Sequence, residues 1–169
     1  MTLVAETVWG VVDCHPPISP EGLTSTDRGS TQKGITMRQG RVILADEHSN
    51  MLGGIRRLLE DEVETVLMVA DEISLYHAME NLNPDVVVAD LSLPISTKTN
   101  IAWVLKKNFP KIKVIILSVH DEKSAVEDVM AAGVEGFVLK RRAVIDLIPA
   151  LHEVLQGHKY ISPDVNGAS

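Results

Sequence analysis

The sequence predicts a doubly wound α/β domain, a parallel sheet of five strands with five helices covering its two faces. Two observations carry that prediction. Short apolar runs alternate with segments of helical spacing from residue 41 to residue 156, and such alternation calls for right-handed crossovers and parallel pairing. The runs Val86-Val87-Val88 and Val114-Ile115-Ile116-Leu117 are apolar at every position, as strands buried on both faces are.

The elements follow in order. A first strand over Arg41 to Ala45 leads into Asp46-Glu47-His48, and Ser49 or Asn50 is placed to cap a helix with Met51, Ile55, Leu58 and Leu59 on one stripe. Glu64 to Ala70 is a second short apolar run, and helix signals run from Glu72 to Leu82. Asn83-Pro84 stops that helix, because a residue before proline is pushed out of the helical region. Asp85 to Ala89 is the third strand, Asn100 to Asn108 the third helix, and Phe109-Pro110 its stop. Lys113 to Leu117, Glu122 to Ala132, Glu135 to Leu139 and Val144 to Gln156 complete the alternation, with Gly133 and Gly157 closing the last two helices.

Composition sets the limits around this domain. The 169-residue chain suffices for one compact domain with a tail or two, and its formal net charge of -7 argues against a general nucleic-acid binder. Cys14 is the single cysteine, so neither an internal disulfide nor a cysteine zinc knuckle can form. No apolar run reaches membrane-spanning length, and no Lys or Arg precedes the mildly apolar Leu3 to Val12 as a secretory signal requires. A cytoplasmic location is the default expectation. Residues 1–37, rich in Pro, Gly, Ser and Thr without periodicity, read as a flexible arm. Met37 is either the true start or the start of the ordered part. The domain is expected over 38–158, and 159–169 as a C-terminal tail or truncated linker.

In an open parallel sheet, ligands bind beyond the carboxyl ends of the strands. Asp46 and Glu47 follow the first strand, Asp90 the third, Ser118 the fourth, and Lys140 the fifth. Clustered carboxylates suit a hard cation such as Mg²⁺, which would offset repulsion between Asp90 and an incoming phosphoryl group. Asp90 can then act as a nucleophile forming an acyl phosphate, with Lys140 and the Ser118 hydroxyl holding phosphoryl oxygens. Each residue alone has a plainer explanation, such as acids near a helix N-terminus or a lysine in the solvated run Lys140-Arg141-Arg142. Their arrival together at successive strand ends is what those explanations do not cover.

The segments Val42-Ile43-Leu44-Ala45-Asp46-Glu47-His48, Asp85-Val86-Val87-Val88-Ala89-Asp90-Leu91-Ser92-Leu93-Pro94, Val114 to Asp121 and Ala132 to Lys140 resemble receiver domains of two-component response regulators, of the NarL/FixJ (LuxR-type) group. The resemblance covers roughly residues 40 to 160. It implies a flavodoxin-like sheet of order 2-1-3-4-5. It also implies Asp90 as phosphoacceptor, Asp46, Glu47 and the backbone carbonyl of Ser92 as Mg²⁺ ligands beside Asp90, and Lys140 as the phosphate-contacting lysine. Ser118 would be the switch hydroxyl and Phe137 the rotating aromatic of the switch, although core packing alone also accounts for Phe137. The implied partner is a sensor histidine kinase, the downstream protein partner is unreadable, and a homodimer through the last helix and its neighbours is in keeping with the group. Such a chain is a phosphoacceptor with slow autodephosphorylation rather than an enzyme. The alternative is a receiver-fold interaction module whose phosphorylation no longer matters.

Three departures stand out. Glu47 occupies a position where Asp is commoner. The loop Ile95-Ser96-Thr97-Lys98-Thr99-Asn100 has Lys98 where the group usually has glycine. The chain stops at Ser169, soon after Tyr160-Ile161-Ser162-Pro163, where members of the group continue into a helix-turn-helix output domain, so no direct DNA binding is expected from these residues. A haloacid-dehalogenase-type phosphatase would need a second acid two residues after Asp90, where Ser92 stands, and neither a GxxxxGK[ST] loop nor a strand-linked GxGxxG occurs. His15, His48, His77, His120, His152 and His158 are scattered and form no ligand set in the sequence.

Overall fold

The computed structural model describes residues 40–165, without the side chains of residues 49–52. The arm expected over 1–37, including Met37 and Cys14, lies outside the described residues, as do residues 166–169. The elements are β1 (Arg41–Ala45), α1 (Ser49–Glu62), β2 (Thr65–Val69), α2 (Glu72–Leu82), β3 (Val86–Asp90), α3 (Ile101–Asn108), β4 (Lys113–Ser118), α4 (Lys123–Ala131), β5 (Gly136–Leu139), α5 (Ala143–Leu155) and β6 (Tyr160–Ile161). A turn of 3₁₀ helix over Lys140–Arg142 joins β5 to α5.

Local chemistry sets the helix ends. The Asp71 carboxylate accepts from the Ser74 backbone N–H and the Ser74 hydroxyl, each at 2.8 Å, and so caps α2. Asn83 ends that helix in the left-handed region at φ 48°, a conformation asparagine tolerates, and Pro84 prevents its continuation as expected. Asn100 caps α3 by accepting from the Trp103 N–H. At α1 the capping position falls on His48, which makes no side-chain capping bond. The side chains of Ser49, Asn50 and Met51, singled out from sequence for this helix, are outside the described set.

All strands pair in parallel, in the order β2-β1-β3-β4-β5-β6. The expected order 2-1-3-4-5 is therefore present, with one strand added at the edge. Tyr160–Ile161, assigned from sequence to a tail, pair with Gly136 and Phe137 of β5. Two residues are too few to display strand alternation, so β6 is held by its neighbours rather than announced by its pattern. The Tyr160 N–H donates to the Glu135 carbonyl and the Ser162 N–H to the Phe137 carbonyl, each at 2.9 Å.

The sheet has a core on each side, and strand alternation divides its residues between them. Val42, Leu44, Val86, Val88, Ile115, Leu117 and Val138 pack with Ile55 and Leu59 of α1 and with Leu147, Ala150, Leu151 and Val154 of α5. Ile43, Val87, Val114, Ile116, Phe137 and Leu139 pack with α2, α3 and α4 through residues such as Leu75, Ile101, Leu105 and Val129. β3 and the apolar stretch of β4 are wholly buried, which accounts for their unbroken apolar sequences. Gly136 opens β5 where a Cβ would lie 2.8 Å from Ile115 Cγ1, so the close fit against β4 depends on the missing side chain. Among the described residues, no helix is long and apolar enough to cross a membrane.

Candidate functional site

Strand order reverses between β1 and its neighbours: the chain leaves β1 for β2 on one side and returns to β3 on the other. The crevice beyond the strand ends at that reversal is where an open α/β sheet binds ligands. Register brings the predicted residues to it. Ala45 pairs with Ala89, so Asp46 and Asp90 are level on adjacent strands. Asp90 pairs with Leu117 and Ser118 with Leu139, which sets Ser118 and then Lys140 one step further along the rim.

The centre of the site is an ion triad. Lys140 Nζ lies 2.5 Å from Asp90 Oδ2 and 3.0 Å from Asp46 Oδ2. Asp46 and Asp90 are buried, and the Lys140 side chain is 7% exposed, so the attraction is little screened by water. Ser92 completes the shell of Asp90, its N–H donating to Oδ1 at 3.1 Å and its hydroxyl to Oδ2 at 2.6 Å. Burial pushes the Asp90 carboxyl up, but the bonds from Lys140 and Ser92 outweigh it and hold the group below its ordinary value. Burial likewise pushes the Lys140 ammonium down, and its bonds to Asp90 and Asp46 outweigh that and raise it. At neutral pH Asp90 is therefore a carboxylate and Lys140 an ammonium.

The remaining predicted residues fall around this centre. Ser118 is buried, and its hydroxyl oxygen accepts from the His120 N–H at 3.0 Å. It is in phase along β4 with Ile116, which pairs with Phe137, so Ser118 and Phe137 share the face covered by α2, α3 and α4. Phe137 is wholly buried there. Arg141 reaches across the rim to Asp121 at 2.9 Å, joining the turn after β5 to the loop after β4. Lys98 is exposed in the loop after β3.

Donor atoms of Asp46, His48 and Asp90 lie within 4.8 Å of one another. Two carboxylates with an imidazole fit a divalent cation chemically. Glu47, expected as a ligand, is not in that group: its side chain is 41% exposed, with Oε1 3.8 Å from His48 Nε2. His48, by contrast, was left among the scattered histidines in sequence. Its N–H donates to Asp46 Oδ1 at 2.8 Å, and its Nδ1 lies 3.4 Å from the same oxygen. The available signal was its place two residues beyond Asp46, across the bend at Glu47 that follows β1.

Comparison with known proteins agrees with this fold. Residues 42–152 match the family model described as response regulator receiver domain. The chain is 33% identical over 127 residues to the transcriptional regulatory protein DegU of Brevibacillus brevis, covering 74% of this chain and 54% of that protein. It is 31% identical over 126 residues to the oxygen regulatory protein NreC of Staphylococcus carnosus, covering 73% and 58% respectively. The chain thus spans little more than half the length of these relatives. The isolated receiver domain of RcsB from Salmonella enterica serovar Typhimurium, solved with the phosphomimetic BeF₃⁻, superposes with a TM-score of 0.68 at 30% identity, over 75% of this chain and 96% of that one. With a family match spanning most of the described residues and a shared fold of the same strand order, the chain belongs to the receiver-domain family of two-component response regulators.

Proposed function

We propose that the domain, expected over 38–158, accepts a phosphoryl group on Asp90 from a phosphohistidine of a sensor histidine kinase. The observation that carries this reading is the Lys140 ammonium bridging two buried, level carboxylates, Asp46 and Asp90. The Asp90 carboxyl, held below its ordinary value, is ionised at neutral pH and available as a nucleophile. In the transfer a carboxylate oxygen forms a bond to phosphorus as the phosphorus–nitrogen bond of the donor breaks, and the departing imidazole takes up a proton. Lys140, already at Asp90 Oδ2, is placed to keep its charge beside the oxygens that arrive.

Mg²⁺ would be held by Asp46, Asp90 and the backbone carbonyl of Ser92, with Glu47 reaching it through water or by swinging inward. When bound, it supplies positive charge against which the phosphoryl oxygens are neutralised. Ser118 would exchange its bond from the His120 N–H for one to the phosphoryl group. Because Ser118 and Phe137 share one face of the sheet, that movement would be felt at Phe137 and the β5 edge, shifting the population between two packings. The altered surface would engage a downstream protein or a second copy of the chain in the cytoplasm. Contact with DNA is assigned to no part of the receiver, since the chain's net charge of -7 is unfavourable for a phosphate backbone.

Exposure to acetyl phosphate with Mg²⁺, followed by intact-mass measurement, tests the reading. One added phosphoryl group is expected in the wild type and none in Asp90→Asn. A wild type that never gains the mass, with acetyl phosphate or with a panel of kinases, would leave a phosphorylation-independent interaction module.

A further inference from the structure

We infer that His48 is a nitrogen ligand at the cation pocket and gives it a preference for imidazole-binding divalent ions, such as Co²⁺ or Zn²⁺, over Mg²⁺. The inference rests on the reading of this pocket as a divalent-cation site and adds a donor that the reading does not use.

The two oxygens of Asp46 are turned to different neighbours. Oδ2 faces Lys140 at 3.0 Å, while Oδ1 accepts from the His48 N–H at 2.8 Å. An arriving cation is repelled by the ammonium and approaches on the Oδ1 side, where the imidazole stands. Nδ1 lies 3.4 Å from Oδ1, beyond the usual ~2.7–3.2 Å of an N–H···O bond. Two ligands at roughly 2.1 Å from one tetrahedral ion sit about 3.4 Å apart, so this separation suits a shared metal better than a direct bond. Asp90 supplies the third donor within the 4.8 Å group.

Burial and outer contacts point the same way. Asp46 and Asp90 are buried, whereas the His48 side chain is 64% exposed, so the imidazole stands at the mouth of the pocket with Nδ1 toward Asp46. Its other nitrogen, Nε2, is 3.8 Å from Glu47 Oε1. That separation is too long for a hydrogen bond, so the carboxylate acts on the ring only through its charge. Mg²⁺ prefers oxygen and keeps its waters, whereas imidazole suits first-row transition ions. One imidazole joining two carboxylates therefore shifts preference away from Mg²⁺ without excluding it.

The test titrates Mg²⁺ and Co²⁺ separately into the 169-residue wild type, His48→Ala and His120→Ala, and records pulsed EPR of bound Mn²⁺ for nitrogen modulation. His48→Ala keeps the backbone N–H that bonds Asp46 and removes an exposed ring, so the fold is retained. The expected result is Co²⁺ binding weakened at least about tenfold in His48→Ala, Mg²⁺ binding changed less than about twofold, and nitrogen modulation lost. His120→Ala should behave as the wild type, since its ring pairs with Glu122 outside the triad. Unchanged Co²⁺ affinity in His48→Ala, or modulation that persists there, overturns the assignment while leaving the Mg²⁺ pocket standing. A wild type that binds neither ion overturns both.

Discussion

Lys140 is the residue on which the pocket's electrostatics turn. Among the described residues it is the one ammonium paired with both Asp46 and Asp90, and its removal leaves two buried acidic side chains facing each other. Breaking a buried charge pair by deleting one partner costs about 3–5 kcal/mol, and a pocket open at the strand ends should fall at or below the low end. Lys140→Met keeps an unbranched side chain of similar reach, so the loss is mainly of charge. It should melt below the wild type in metal-free buffer and gain more from added Mg²⁺, because an ion that binds only the folded state stabilises by mass action. Thermal melts with and without Mg²⁺ check this, and equal Mg²⁺ responses in both proteins would sink it. Residues such as Asp46, Asp90, Ser118 and Lys140 were legible because each ends an apolar run. Glu47 was not: it stands at the bend after β1 with its side chain 41% exposed, whereas Asp46 before it is buried. Of the consecutive acidic pair only Asp46 is buried, and the third donor of the cluster comes from His48 rather than from Glu47.

At the scale of elements, the five strands and five helices were readable from periodicity and stop signals, and Asn83-Pro84 ends α2 where the pattern put it, while Asn100, read as the first residue of the third helix, caps it instead. β6 was not, because its support is lateral. The Ser162 hydroxyl donates to the buried Asp146 carboxylate at 2.6 Å and accepts from the Leu139 N–H at 3.1 Å. Asp146 in turn takes two bonds from Arg142, at 2.8 and 3.1 Å, and Arg142 also reaches Asp164 at 2.9 Å. One serine thus ties the end of β5, the start of α5 and the edge strand together, and it does so beside the turn that carries Lys140. Ser162→Ala leaves the Leu139 N–H without its acceptor and Asp146 short of a donor, a loss of about 1–3 kcal/mol. Hydrogen exchange should show the amides of Leu139, Tyr160 and Ser162 opening faster while those of β1 and β3 change only with global stability. Uniform acceleration across the sheet would mean that β6 is not a separately held element.

For the whole molecule, the charges held at these places set how stability follows pH. Hydrogen bonds from Ser74 hold Asp71 below its ordinary value. Burial pushes Asp90 and Asp146 up, but the bonds from Lys140 and Ser92, and from Arg142 and Ser162, outweigh it and hold both below. A carboxyl lowered in the folded state contributes its stability above the unfolded value, about 4, and loses it as pH falls through the folded value. On the alkaline side, Lys140 is raised by its bonds to Asp90 and Asp46 against the effect of burial, and Tyr160 is raised by burial and by Asp146. Both contribute fully below an unfolded value of about 10 and lose that contribution as pH rises through their folded values. Between these limits the excess of 23 acidic over 16 basic residues repels itself least as the net charge shrinks toward zero, which moves the optimum to the acid side of neutrality. Urea midpoints should therefore be highest near about pH 5–6, fall steeply below about 4 and fall again above about 10. Asp146→Asn should be less stable at neutral pH and show a shallower acid limb, because the carboxylate that Arg142 and Ser162 hold is no longer there to be protonated. If the acid limb of Asp146→Asn is as steep as that of the wild type, the acid sensitivity resides elsewhere than in the β6 tie.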